Sequence, residues 1–203
     1  GTGVEQNYQK AKEWFEKAKI DYFAPFVNLW LSCNAWYMDH YSELDGRDRP
    51  HIDMVKCDIT SRNHIFKQFK KRMESFDKDA LAFRSNVEQL HFALQNAYLE
   101  SDTIGLISFE TAVCDYSNKA HVTNLLKTPR IKSDGTVYEA DKDSVIKLEN
   151  IYVTSNLSEL FAGVFEIIYQ VRNNLIHGHM NPGEDEYEVV KYCYFVLYDL
   201  MSF

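Results

Sequence analysis

"SNLSELFAGVFEIIYQVRNNLIHGH", residues 155–179, is the stretch on which the fold turns. At about 100° per residue, Leu157, Leu160, Phe161, Val164, Ile168, Val171 and Leu175 gather on one broad side of an ideal helix. Ser155 or Asn156 suits the N-cap, Gly178 suits a left-handed C-cap, and Pro182 blocks continuation. Glu166, Gln170, Asn173 and His177 form an opposite, polar stripe. Arg172 breaks the pattern, falling in the apolar half beside Phe161, Phe165, Ile168 and Ile176. A guanidinium does not readily lose its charge on desolvation, so it snorkels to water, pairs with a carboxylate or waits for an anion.

Outward from this helix, residues 184–203 read as a closing amphipathic helix with three acids in its first turn, where the helix dipole favours them. Residues 4–20 repeat Tyr8, Ala11, Trp14, Phe15 and Ala18 at helical spacing. A helix from near Pro25 to about Tyr41 is apolar over most of its circumference and is expected to be central. Helical pattern covers 61–76 and 79–99, as two helices or one bent one, whereas "ELDGRDRPHIDMVKCDIT" (43–60) reads as a loop. Residues 101–154 hold a Ser-Asp-Gly turn signal and short β-branched runs, which predict a small hairpin. The expected fold is all-α: an up-and-down helical bundle of four to six helices in one domain over 1–203, with 101–154 as an irregular or β insertion.

The chain has 203 residues, 45% hydrophobic and 14% aromatic, enough for a large core. Cys33, Cys57, Cys114 and Cys193 lie far apart without a CxxC pair, so neither a zinc site nor a disulfide framework is indicated and a reducing, cytoplasmic setting is expected. The first twenty residues are too polar for a secretion signal, and the most apolar window (23–38) is too short and too interrupted to span a bilayer. No cofactor, metal or membrane is expected. A net charge of −8 argues against gripping long nucleic acid by charge alone. Residues 101–203 hold 8 Lys+Arg against 15 Asp+Glu, a net of −7, while residues 56–72 hold six basic residues against Asp58, a net of +5. Within that run Lys67, Lys70, Lys71 and Arg72 are candidate RNA contacts; a solvated helix face is the plainer alternative.

On a straight helix Arg172 and His177 lie about 140° apart and about 7.5 Å along the axis. For both to reach one phosphate, the helix must distort, the arginine must curl round, or a second copy of the chain must complete the site. Asn173 and His177 are i, i+4 neighbours, a spacing at which the amide can fix the imidazole tautomer. Asn34, on an otherwise apolar helix, needs partners, either as a core hydrogen bond between helices or as part of the site. Asp39 and Glu43 are candidate partners for Arg172.

Arg172-Asn173-Asn174-Leu175-Ile176-His177 resembles the Arg-x(4–6)-His signature of the HEPN superfamily, in which a polar residue follows the arginine near the end of a long helix. The likeness covers about residues 155–201 well, the helix near Pro25 more loosely and residues 101–154 hardly at all. It implies a helical bundle, commonly a homodimer, with signatures from two copies facing one cleft. It further implies a metal-independent endoribonuclease that works by 2'-hydroxyl attack, in a defence or toxin–antitoxin setting with a protein partner or antitoxin. In that role His177 transfers protons and Arg172 stabilises the transition-state charge. Members paired with nucleotidyltransferase antitoxins carry a tyrosine two positions after the histidine, where this chain has His179, a second titrating group or plain exposed filler. Two alternatives remain: a non-catalytic HEPN module binding RNA, a nucleotide or a protein, and a structural Arg172 locked to Asp39 or another acid.

Overall fold

In the computed structural model, residues 3–202 are described, with side chains from residue 8 onward. The chain runs α1 (Gly3–Ala18), α2 (Phe23–His40), α3 (Asp48–Cys57), α4 (His64–Glu74) and α5 (Lys78–Ala97). The insertion follows as β1 (Glu100–Ser101), β2 (Gly105–Leu106), β3 (Leu126–Lys127), α6 (Glu139–Lys142), β4 (Val145–Lys147) and β5 (Tyr152–Thr154); α7 (Leu157–Ile176) and α8 (Glu184–Met201) end it. The protein is mostly helical, with two small antiparallel sheets. Among the described residues no helix is long and apolar enough to cross a membrane.

α7 runs through the core. Every residue from 160 to 171 is buried, and α3, α4, α8 and the strands β1 and β5 pack on it. Asn156 caps it as expected, accepting from the Glu159 amide, and Gly178 takes a φ of 72° just beyond its end. α2, expected to be central, is buried along one stripe only, at Phe26, Trp30, Cys33 and Tyr37, while Leu31 is exposed. A composition apolar all round does not require cover all round. The apolar positions of α1 likewise stay open, with Tyr8, Trp14 and Phe15 at 66%, 69% and 66% exposure. Amphipathic spacing shows that a face favours cover; the described residues do not supply it.

Residues 48–57, expected to be loop, form α3. Pro50 lies in its first turn, where the missing N–H breaks no helical bond, so the proline marks a start rather than a break. Ile52 and Val55, one turn apart, are fully buried. α4 and α5 are separate helices, α5 being capped by Asp77, whose side chain accepts from the Ala80 amide.

The single expected hairpin in 101–154 is corrected to a two-stranded β1–β2 sheet and a three-stranded sheet ordered β3–β5–β4, both antiparallel. The Ser-Asp-Gly turn does form, with Gly135 at φ 86° and one bridge between Ile131 and Val137. The longer ladder lies elsewhere, because fully buried Glu88 of α5 accepts the Asn150 and Ile151 amides and pins the β4–β5 turn. Gly163 lets the insertion approach α7: a Cβ there would lie 2.8 Å from Leu125 Cδ1 and 3.3 Å from Ala112 Cβ. Gly163→Val is therefore expected to lower unfolding free energy by about 1–3 kcal/mol. Urea denaturation checks this, and an unchanged midpoint would mean the insertion is held by something other than that contact.

Candidate functional site

The polar stripe of α7 is not a solvent face. Glu166 is fully buried, and its carboxylate accepts from Arg49 Nη1 at 2.6 Å and Nη2 at 3.1 Å, and from Lys56 Nζ at 2.8 Å. Arg49 also lies with its Cζ 3.5 Å from the Tyr116 ring centroid. Burial pushes the Glu166 pKa up, but the Arg49 and Lys56 charges outweigh it and hold the group below its ordinary 4.5. One turn on, Gln170 donates to Glu166 Oε2 at 2.8 Å, and its own Oε1 accepts from Ser101 at 2.6 Å and Thr103 at 3.3 Å. The ion cluster is thereby linked to the β1–β2 turn.

That turn and the end of α7 enclose a polar cleft of about 140 Å³. Gln170, Asn173, Asn174 and His177 of α7 and its end line it together with Glu100, Ser101, Asp102 and Thr103 of the turn, and His179 completes the lining. The reversal at Gly178 brings the His179 ring back to 6.2 Å from that of His177, and His179 Nε2 lies 3.5 Å from Asp102 Oδ2. Both imidazoles are exposed. Asn174 donates to the Glu100 carbonyl at 2.8 Å, leaving its Oδ1 buried without a partner among the described residues.

Arg172 is outside this lining. Its Nη1 donates to Asn173 Oδ1 at 2.7 Å and lies 3.7 Å from Asp48 Oδ2; its Cζ sits 5.9 Å from the Trp30 ring, and its Nε is buried without a partner among the described residues. Asp48 Oδ1 in turn accepts from Asn34 at 3.0 Å and from the Tyr37 hydroxyl at 2.8 Å. Two expectations change. The acid beside Arg172 is Asp48, not Asp39 or Glu43. The Asn173 amide holds the guanidinium, not the imidazole. Asn34 makes the hydrogen bond between helices that is one of its two expected roles, from α2 to Asp48 of α3, and so steadies the arginine's carboxylate.

The basic run is not brought to the cleft. Lys67, Lys70 and Lys71 are exposed on α4, Arg72 is bonded to Asp199 of α8 at 2.8 Å, and Lys56 is buried against Glu166. Phe66 and Phe69 of α4 meet α7 at Phe161, which stands about 24 Å along the helix from His177. Arg49, Lys56, Asp48 and Asp102 are site neighbours that sequence reasoning misses. Glu166 at i and Gln170 at i+4 were the available signal, but nothing local says that Arg49, 117 positions away, covers them.

Among the described residues no group of three or more His, Cys, Asp and Glu side chains is placed to hold a metal ion. In comparisons with known proteins, no family model, no curated protein and no solved structure matches this chain.

Proposed function

We propose that the chain is a HEPN-like ribonuclease, a single domain of up-and-down helical bundle type that cleaves RNA without a metal. The observation that carries this is the pair of exposed imidazoles, His177 and His179, 6.2 Å apart in the lining of one cleft, one turn beyond an ordered arginine. In the proposed step the RNA 2'-oxygen attacks phosphorus as His177 takes the hydroxyl proton. The bond to the 5'-oxygen breaks, and protonated His179 supplies that oxygen with a proton. The products are a 2',3'-cyclic phosphate and a 5'-hydroxyl. Arg172 lies on another side of α7, so its charge is assigned to the cleft of a second copy, making the active species a homodimer.

The test uses short labelled RNAs incubated with and without chelator, and products read for the cyclic phosphate end. Arg172→Ala is expected to slow cleavage about 100-fold or more. Mixing inactive Arg172→Ala and His177→Ala proteins should then restore about one quarter of wild-type activity, because half the random dimers carry one intact composite site. No restoration puts both residues in one chain's site; no cleavage by the wild type on any RNA removes the ribonuclease. A non-catalytic module is favoured by one observation: the cleft lining includes Glu100 and Asp102 and neither Lys nor Arg, which suits a cationic protein partner rather than RNA. A wild type that neither cleaves RNA nor retains it on a native gel would select it.

A further inference from the structure

Arg84 of α5 is only 3% exposed, yet among the described residues no carboxylate is bonded to it. Its three hydrogen bonds all leave Nη1, to the carbonyls of Arg72, Met73 and Ser75 at 2.8, 3.3 and 2.6 Å. Nε and Nη2 bond to none of the described residues. A buried guanidinium normally has an anion beside it. Desolvation draws this one below its ordinary pKa, with Asp77 opposing only through space.

The space Arg84 borders is a groove of about 640 Å³ between the α4–α5 turn and the three-stranded sheet, within the usual range of small-molecule sites. Phe76, Val137, Val145 and Ile146 give it apolar walls, and the Phe76 ring, 85% exposed, lies 5.3 Å from Arg84 Cζ. Lys142 and Lys147 add positive charge at the lining, against Glu74 as its one acid.

We propose that this groove binds a small amphipathic anion, a carboxylate on an apolar chain, with the head on Arg84 and the chain along Val145 and Ile146. The free Nε and Nη2 present the parallel donor pair that a carboxylate matches in bidentate fashion. The apolar walls favour a chain behind the head and leave a bare inorganic anion or a nucleic-acid backbone poorly matched.

Calorimetric titration of the full chain with decanoate, and with decanol as its uncharged counterpart, tests the site. Decanoate is expected to bind at least about tenfold more tightly than decanol. Val145→Glu, which places an acid in a half-buried wall, should weaken decanoate about tenfold or more in a chain that circular dichroism shows still folded, and Lys147→Glu should weaken it less. Arg84→Gln should erase the preference for acid over alcohol. Should that variant fail to fold because the end of α4 loses its donor, the two wall variants still decide. The proposal is overturned by no decanoate binding up to about 1 mM, by equal binding of acid and alcohol, or by binding indifferent to Val145→Glu. None of these measurements involves RNA.

Discussion

His177→Ala is expected to reduce RNA cleavage by about 10²–10⁴-fold, the range that one proton-transfer group contributes, while the melting temperature barely moves. The separation follows from how the residue is held. His177 is exposed, and its contribution to the helix end is its backbone N–H, which donates to the Asn173 carbonyl at 2.9 Å and survives truncation. The side chain makes no hydrogen bond to the described residues; its nearest ring is His179 at 6.2 Å. A large fall in activity with no fall in stability therefore belongs to chemistry rather than packing. His179→Ala should also slow cleavage, by a factor in the same range, because expelling the 5'-alkoxide needs a proton. Cleavage by His177→Ala at the wild-type rate would sink the assignment of this imidazole, whatever else the protein cuts.

Sequence pattern carries the long helices and their ends because caps are local. Asn156 needs only the amide three residues on, and Gly178 needs only a positive φ. α3 is hidden by the same local rules, since Gly46 and Pro50 are turn residues until the proline is seen to occupy the first turn of a helix. The candidate site is legible only as a helical wheel. The wheel separates Arg172 from His177 correctly, and they do lie on different sides of α7. It also places Glu166 and Gln170 on a polar stripe, but a wheel cannot say what covers a stripe. Here the cover is α3 and the β1–β2 turn, brought in across 117, 110 and 69 positions of sequence by Arg49, Lys56 and Ser101.

That cover makes Glu166 the residue whose loss should be most destabilising. Lys56 has 4% of its side chain exposed and Glu166 1%, so truncating the acid leaves a buried ammonium without its counter-charge and frees Gln170 from its acceptor. Glu166→Ala is expected to lower unfolding free energy by about 3–5 kcal/mol, a large share of the total for a chain of this kind. The double replacement Lys56→Met with Glu166→Leu should recover much of that loss, because it removes both desolvated charges; Arg49, 24% exposed, can turn to Asp53, which it already contacts at 3.1 Å. Denaturant melts of the single and double variants separate charge from packing: equal losses in both would show that the pair acts through shape alone. Acid should reproduce the single variant in the wild type. The carboxyl is held below its ordinary 4.5, so its contribution is fully present above that pH and is lost as pH falls through the lower folded value. A wild-type stability that declines below about pH 4.5, alongside a Glu166→Gln variant whose decline there is shallower, identifies this carboxylate as a source of the acid sensitivity. Parallel declines would place that sensitivity in other acids.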